Sequence, residues 1–283
     1  MFNVSTDRLI ISSALSLLML TGCGESPERK AAESLLQEAE AAILSRKPEE
    51  GIQLLDSISK AYPEQTETRR SALALRPKAT EIITIREIEQ TDSLLAALEL
   101  EHTRTEGLMK KISDRNLVEP YYVPAKAYNP NFVSSTGVQA RVDLIGQFYL
   151  LSSVNGKTLK HVAVEFSNGK ETVSTQTVKA DGETNFRMGN SELITYEPGK
   201  CDTIGQFFVD NTSVPVKGAF VGENGKKTPF GLSAAQVEAI ADAYRYSHSI
   251  VDAREAAVHR EKLERKLQVA RDQMARTAEG DGR

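Results

Sequence analysis

The residues of this chain with the clearest chemical purpose are Leu20-Thr21-Gly22-Cys23, which close the apolar run from Leu9 to Leu20. A run of that length is too short for a bilayer-spanning helix of about 20 residues, and it leads into small residues of the kind a signal peptidase accepts. The pattern is that of a bacterial lipoprotein processing site. Cleavage before Cys23 would free its thiol for a diacylglycerol, so Cys23 is the predicted lipidation site and residues 1–22 the predicted signal peptide. Asp7 cancels Arg8 and leaves the initiating amine as the only positive charge of the flank, so a plain secretory signal or an uncleaved anchor competes with this reading. With Cys23 acylated, Cys201 is the single remaining thiol and no intramolecular disulfide can form; without acylation, a Cys23–Cys201 bridge is the rival use of both. An unpaired Cys201 is expected to be a buried structural thiol, an intermolecular disulfide being the alternative.

Other chemistry was sought in the spacing of reactive side chains. His102, His161, His248 and His259 are scattered, and no two stand four apart on one helical face as a metal pair would; each reads as solvated or capping. Gly189-Asn190-Ser191 lacks the second glycine of a nucleophile elbow. Gly222-Glu223-Asn224-Gly225-Lys226-Lys227-Thr228 has its glycines three apart and sits in hairpin surroundings, so it reads as a turn and not as a phosphate loop. Asp181-Gly182-Glu183 holds the acids of a calcium-loop fragment without the remaining ligands. No catalytic, cofactor-binding or metal-binding residue is therefore nominated. The formal net charge of −4 survives removal of residues 1–22, which carry one acid and one base, and it carries no nucleic-acid signature. The basic residues of the last helix, Arg260, Lys262, Arg265, Lys266 and Arg271, are interleaved with Glu255, Glu261, Glu264 and Asp272, as on a solvated coiled-coil flank. Tyr121, Tyr122 and Tyr128 form either a recognition surface or a packing seam between helices and β region.

The elements that position these residues divide the mature chain into five. Residues 23–112 are predicted helical. Leu35, Leu36, Ala39, Ala42 and Ile43 make one stripe, Pro48 opens a second helix with Ile52, Leu55 and Ile58, and Tyr62-Pro63 ends it. This pair resembles a single tetratricopeptide-like unit, but one repeat cannot bury its own face, so it is expected to pack on its neighbours. The next helix is predicted to begin near Glu64 or Thr66, and Pro77 to start a longer one reaching about Ile112. Residues 113–132, rich in Pro and Tyr, read as an extended linker.

From 133 to 232 the hydrophobic period switches to two, beginning with Val138, Ala140, Val142 and Leu144. Turn signals at Asn155-Gly156, Asn168-Gly169, Asp181-Gly182 and Asn224-Gly225 separate short strands, including one predicted over Thr203–Val209. Such spacing predicts an antiparallel β-sandwich or barrel. Ser233 with Gln236 forms a capping box that opens a long helix over 233–276, and 277–283 is expected to be a disordered tail. The fold class is α+β: a helical hairpin, two long helices forming an antiparallel coiled-coil-like stalk, and a central sandwich. Pairing is expected to set Leu108, Met109 and Ile112 against Val237, Ile240 and Tyr244, and Ile82–Ile88 against Leu263–Ala270.

With those elements in place, the chain resembles a family of uncharacterised lipoproteins of the Bacteroidales type. The resemblance rests on Leu20 to Cys23, the hairpin ending in Ala61-Tyr62-Pro63, the strand Ala140-Arg141-Val142-Asp143, and the helix entry from Leu232-Ser233 through Ala239-Ile240-Ala241 to Tyr244. It implies a cell-envelope location, on the periplasmic or surface face of the outer membrane, and brings no catalytic residues. The expected partners are the membrane, through the lipid, and a protein held along the helices; no nucleic acid is expected. Interaction or scaffolding is the expected work, with capture of a peptide or glycan by the sandwich as the alternative and hydrolysis the least favoured. The absence of Trp weakens the glycan version.

Overall fold

The computed structural model describes residues 26–115 and 119–280. Cys23 and the whole predicted signal peptide lie outside the described residues. Two compact units are present, one made of residues up to Ile83 together with those from Ala270 on, the other of Thr84–Val269.

The first unit is helical. Helix α1, Pro27–Leu44, is capped by Ser26, whose Oγ accepts from the Arg29 N–H, and α2, Pro48–Ala61, opens on Pro48 as its spacing predicts. The core is Ala39, Ile43, Leu55 and Ile58 with Ala72 and Ala79 from the start of α3, Thr66–Glu106. Gly51 lets α1 and α2 approach closely, since a Cβ there would stand 2.6 Å from Ile43 Cγ1. α3 begins at Thr66, where a helix is expected, but it runs on through Pro77, the expected start of a separate longer helix, which lies buried inside it. A helix interior tolerates Pro when the loss of one N–H donor is outweighed by packing, and here the neighbouring Ala72 and Ala79 are core residues. Arg271 from α5, Ala234–Gly280, pairs with Glu81 at 2.8 Å in this unit. The C-terminal residues 277–280, expected as disordered tail, continue α5.

The second unit combines the other parts of α3 and α5 with ten strands. The two helices run antiparallel: His102 Nδ1 lies 3.1 Å from Ser249 Oγ, Asp92 pairs with Arg260 at 2.5 Å and Glu87 with Lys266 at 3.3 Å, α3 positions falling as α5 positions rise. Residues buried along their facing stretches include Thr84, Thr91 and Thr105 on α3, seven and fourteen apart, and Ser249, Ala256 and Leu263 on α5, seven apart, the spacing of a coiled-coil seam. Thr91 and Thr105 return their hydroxyls to the carbonyls of Glu87 and Glu101, which lets a polar residue line the seam. The Ile and Leu stripe read from the sequence flanks that seam, half-buried.

α3 stops at Glu106 because Gly107 follows, and Met109–Ile112, expected as its last turn, is strand β1. The expected contact of Leu108, Met109 and Ile112 as helix positions against α5 is thereby replaced by sheet pairing. The 113–132 linker likewise supplies a strand, β2, Tyr121–Pro124, followed by short helical turns at Ala125–Ala127 and Phe132–Ser134. The remaining strands are β3, Gly137–Asp143; β4, Phe148–Asn155; β5, His161–Ser167; β6, Thr172–Ser174; β7, Asn185–Met188; β8, Ser191–Thr195; β9, Lys217–Gly222; and β10, Lys227–Gly231. They form antiparallel sheets ordered β1-β2-β3-β4-β8-β7 and β10-β9-β5-β6, neither closed into a barrel.

The predicted strand over Thr203–Val209 is instead α4, Asp202–Asp210. Its buried residues, Ile204, Phe207 and Phe208, stand three and four apart, a helical period that outweighs the β-prone Thr, Ile, Phe and Val there. Gly205 permits the contact, a Cβ at that position lying 2.0 Å from the Tyr244 ring. One apolar core joins the inward faces of both sheets, α4, and Val237, Ile240 and Tyr244 of α5. Ser233 caps α5 with Gln236 reciprocally, as its motif predicts.

Candidate functional site

At the centre of the β unit the structure assembles a group that no local spacing announces. Ser152 is mid-strand in β4 among the inward Leu150 and Val154; His161 opens β5; Glu192 lies on β8, and Tyr196 follows it, its N–H extending the ladder to the Leu150 carbonyl at 2.9 Å. β4 and β8 belong to the six-stranded sheet and β5 to the four-stranded one, so contact among these side chains ties the two sheets together.

Glu192 is the fixed point. Its Oε1 accepts the Lys160 N–H at 2.6 Å, and its Oε2 accepts both the His161 N–H at 2.9 Å and His161 Nδ1 at 2.6 Å. Lys160 adopts a left-handed backbone, φ 50°, unusual for a side chain with a Cβ. That conformation turns two successive N–H groups onto one carboxylate, an anion-holding nest whose local strain the charge-assisted bonds offset. His161 Nε2 lies 2.9 Å from Ser152 Oγ, which lies 3.2 Å from the Tyr196 hydroxyl. The proton order follows from these partners: Tyr196 donates to Ser152, Ser152 to His161 Nε2, and His161 Nδ1–H to the carboxylate. Burial lowers the His161 pKa more than its hydrogen bond to Glu192 raises it, so the imidazole is neutral. Burial pushes the Glu192 carboxyl up, but its hydrogen bonds from the His161 side chain and the His161 and Lys160 backbone win, and it sits below its ordinary range as an anion. Burial also takes the Tyr196 hydroxyl up to about 12, fixing it as a donor.

Serine, histidine and glutamate in this order are the arrangement that activates a hydroxyl for acyl transfer. Here it is sealed. Ser152, His161 and Tyr196 have no exposed surface and Glu192 only 2%, and the Ser152 oxygen is already engaged by Tyr196. No reacting carbonyl can approach it in this state, so what the arrangement does chemically is satisfy four polar side chains inside an apolar core and lock the sheets in register.

The expectation of a solvated or capping role fails for His161, because strands distant in sequence enclose it; His102 stacks on Tyr246 at 5.4 Å, His248 meets Asp252 at 3.0 Å and His259 is exposed. Cys201 is a buried free thiol at the start of α4, pushed up to about 12 by burial. Gly222–Thr228 is the β9–β10 turn, and Asp181 closes its own turn by accepting from Glu183 N, Asn185 N and the Thr184 hydroxyl, which holds its carboxyl down at about 2. The tyrosines divide between the two roles considered for them. Tyr122 packs on Tyr246 of α5, while Tyr121 and Tyr128 carry the cations Arg141 and Lys110 on the opposite face of the sheet. Among the described residues no group of three or more His, Cys, Asp or Glu side chains could hold a metal, and no helix is long and apolar enough to cross a membrane. No family model, curated protein or solved structure matches the chain.

Proposed function

We propose that this is a lipid-anchored protein of the bacterial cell envelope, tethered through Cys23, whose work is interaction or scaffolding and not catalysis. The observation that carries the reading is the apolar run ending in Leu20-Thr21-Gly22-Cys23. Three residues separate Cys23 from Pro27, where α1 begins, so the acylated terminus would lead directly into a folded helix without a long tether. A scaffolding role is favoured over hydrolysis because the serine–histidine–glutamate arrangement is closed to solvent. The seam between α3 and α5 is already filled within the chain, so a protein partner would meet the outer faces of these helices, where Leu94, Leu100 and Val258 stand exposed.

Mass spectrometry of the protein purified from membranes tests the anchor. Loss of residues 1–22 with a diacylglycerol-bearing adduct on Cys23 is the expected result, and Cys23→Ser should release the protein into the soluble fraction. An intact Met1, or an unmodified Cys23 thiol, overturns the proposal.

A further inference from the structure

The helical unit carries a groove of about 480 Å³ between the first turns of α3, which contribute Arg70, Leu73, Ala74, Arg76 and Pro77, and the last turns of α5, which contribute Arg276. Three arginines line it and no carboxylate does. Arg76 is already engaged, its Nη1 donating to Asp56 Oδ1 at 2.9 Å. Arg70 and Arg276 are exposed and form no ion pair among the described residues. Glu67 and Asp272 stand one turn from them on the same helices but outside the lining. Beside the two unpaired guanidinium groups, Leu73 is 63% exposed. Cations flanking an exposed aliphatic side chain suit a ligand with an anion at one end and hydrocarbon next to it.

The groove lies at the end of this unit from which the N-terminus emerges. α1 and α2 form a hairpin, and α3 follows α2 across a turn closed by Arg69 Nη1 on the Pro63 carbonyl, so α1 and α3 start at the same end. α5 runs against α3, Glu81 pairing with Arg271, so five further residues in opposite directions bring Arg276 level with Arg76. Arg70 is four residues into α3, about 6 Å along its axis. Cys23 precedes Ser26 by three residues, roughly 10 Å when extended. An acylated Cys23 therefore holds this end beside the lipid headgroups. The chain as a whole is acidic, with a net charge of −4, and an anionic bilayer repels it unless a cationic end is turned toward the lipid.

We infer that this groove takes the headgroup of an anionic phospholipid, with Arg70 and Arg276 donating to its phosphate oxygens and Leu73 meeting the start of an acyl chain. The planar guanidinium forks match phosphate oxygens in pairs. A choline headgroup would bring a further cation to a site already in positive excess, and a free phosphate would leave Leu73 in water. Occupation seats the end of the helical unit on the bilayer, where a lipid chain alone would let it swing. The inference rests on the anchor at Cys23 for its place at the membrane, and on the groove's own residues for its chemistry.

The test is calorimetric titration of the protein, purified from membranes in an uncharged detergent, with dihexanoylphosphatidylglycerol, dihexanoylphosphatidylcholine, inorganic phosphate and polyglutamate. Saturable binding of the phosphatidylglycerol, weakening with salt and well ahead of the other three, is expected. Arg70→Gln and Arg276→Gln should each weaken it about fivefold, the effect of one basic residue beside an anionic headgroup. Both side chains are exposed, so the fold should survive either change. Arg265→Gln, which removes an exposed arginine of α5 paired to Glu261, should leave binding unchanged. No saturable binding, equal binding of phosphatidylcholine, phosphate or polyglutamate, or equal weakening by Arg265→Gln each overturns the inference. The mass spectrum of the same preparation keeps the two readings apart: an unmodified Cys23 with binding intact sinks the anchor and supports the groove, whereas an acylated Cys23 without binding sinks the groove alone.

Discussion

The helical unit packs Ala39, Ile43, Leu55 and Ile58 into a core of aliphatic side chains, whereas the β unit places Ser152, His161, Glu192 and Tyr196 at the middle of an otherwise aromatic and aliphatic one. In the first, each contact is replaceable and loss is graded by volume. In the second, four groups satisfy one another and each removal strands the rest. The difference is that between additive packing and an all-or-none polar network, and it sets different expectations for mutation, pH and chemical labelling in the two units.

The largest effect is expected at Glu192. Glu192→Ala would strand the Lys160 and His161 N–H groups and the His161 imidazole in a core that admits no water, and removal of one buried charged partner typically costs about 3–5 kcal/mol. Urea denaturation followed through the β-unit tyrosines measures it. Ile58→Ala in the helical unit should fall in the ordinary range of roughly 2–5 kcal/mol for a core deletion. The two separate in the double mutant with His161→Leu: coupling of the order of 1–3 kcal/mol is expected with Glu192→Ala, and near-additivity with Ile58→Ala. Equal additivity in both pairs would dissolve the contrast.

Close backbone approach gives the next step down. A Cβ at Gly205 would meet the Tyr244 ring at 2.0 Å, and one at Gly51 would meet Ile43 Cγ1 at 2.6 Å. At Gly205 three atoms of one rigid ring stand within 2.6 Å and must move together, whereas at Gly51 one atom of a side chain with two rotatable bonds stands that close. Gly205→Ala should therefore lie at or above the upper end of the roughly 1–3 kcal/mol range for overpacking, and Gly51→Ala near its lower end. Thermal melts that reversed this order would show the β core to be the more compliant.

What could be read in advance divides along the same line. α1, α2 and the opening of α5 follow from residues three and four apart and from caps within one turn, so Pro48, Ser233 and the Leu55–Ile58 face were legible. The strand β3 was legible from the alternation of Val138, Ala140 and Val142, and the hairpin joining β9 to β10 from Asn224-Gly225. The central network was not, because its members lie between positions 152 and 196 on strands whose pairing the sequence does not state. Its two local traces are polar residues at inward strand positions, Ser152 between Leu150 and Val154, and Glu192 two residues before Ile194. α4 was misread because Thr203–Val209 is rich in residues that favour strands, which masks the three- and four-residue spacing of Ile204, Phe207 and Phe208 that sets them on the core as a helix. β1 and β2 were misread because strands of four residues have too few alternations to register.

Titration distinguishes the network next. His161 is held below its ordinary value near 6.5 by burial, so above that pH both folded and unfolded chains leave it neutral and its contribution is complete. As pH falls through 6.5 the unfolded chain takes up a proton that the folded one refuses, and stability is lost until the lower folded value is reached. Glu192, lowered from 4.5, adds a second loss below about that pH as the unfolded carboxyl protonates first. The stability of the β unit should decline from pH 7 to 4 in these two stages, and a flat profile across pH 6.5 would contradict a neutral, sealed imidazole. Cys201 gives an independent reading, since burial raises its thiol to about 12. It should react with an aromatic disulfide reagent only as fast as the β core opens.

The smallest effect is expected at the helix caps, and it tests whether the two units differ in local structure as well as in their cores. Ser233 and Gln236 exchange hydrogen bonds, Ser233 N to Gln236 Oε1 at 2.9 Å and Gln236 N to Ser233 Oγ at 3.2 Å, while Ser26 caps α1 through a single bond from Arg29 N at 3.2 Å. Replacing either serine by alanine removes an N-cap worth typically about 1 kcal/mol. α5 enters its unit with Val237 and Ile240 buried within its first two turns, so packing continues to hold those turns when the cap is gone. α1 buries only Ala32 in its first two turns, and there the uncapped helix is free to fray. Amide hydrogen exchange should therefore show Ser26→Ala accelerating residues 28–31, with Ser233→Ala changing global stability by about the same amount but leaving residues 237–240 protected. Equal fraying at both ends would mean that the first turns of α5 depend on their cap and not on the β core beneath them.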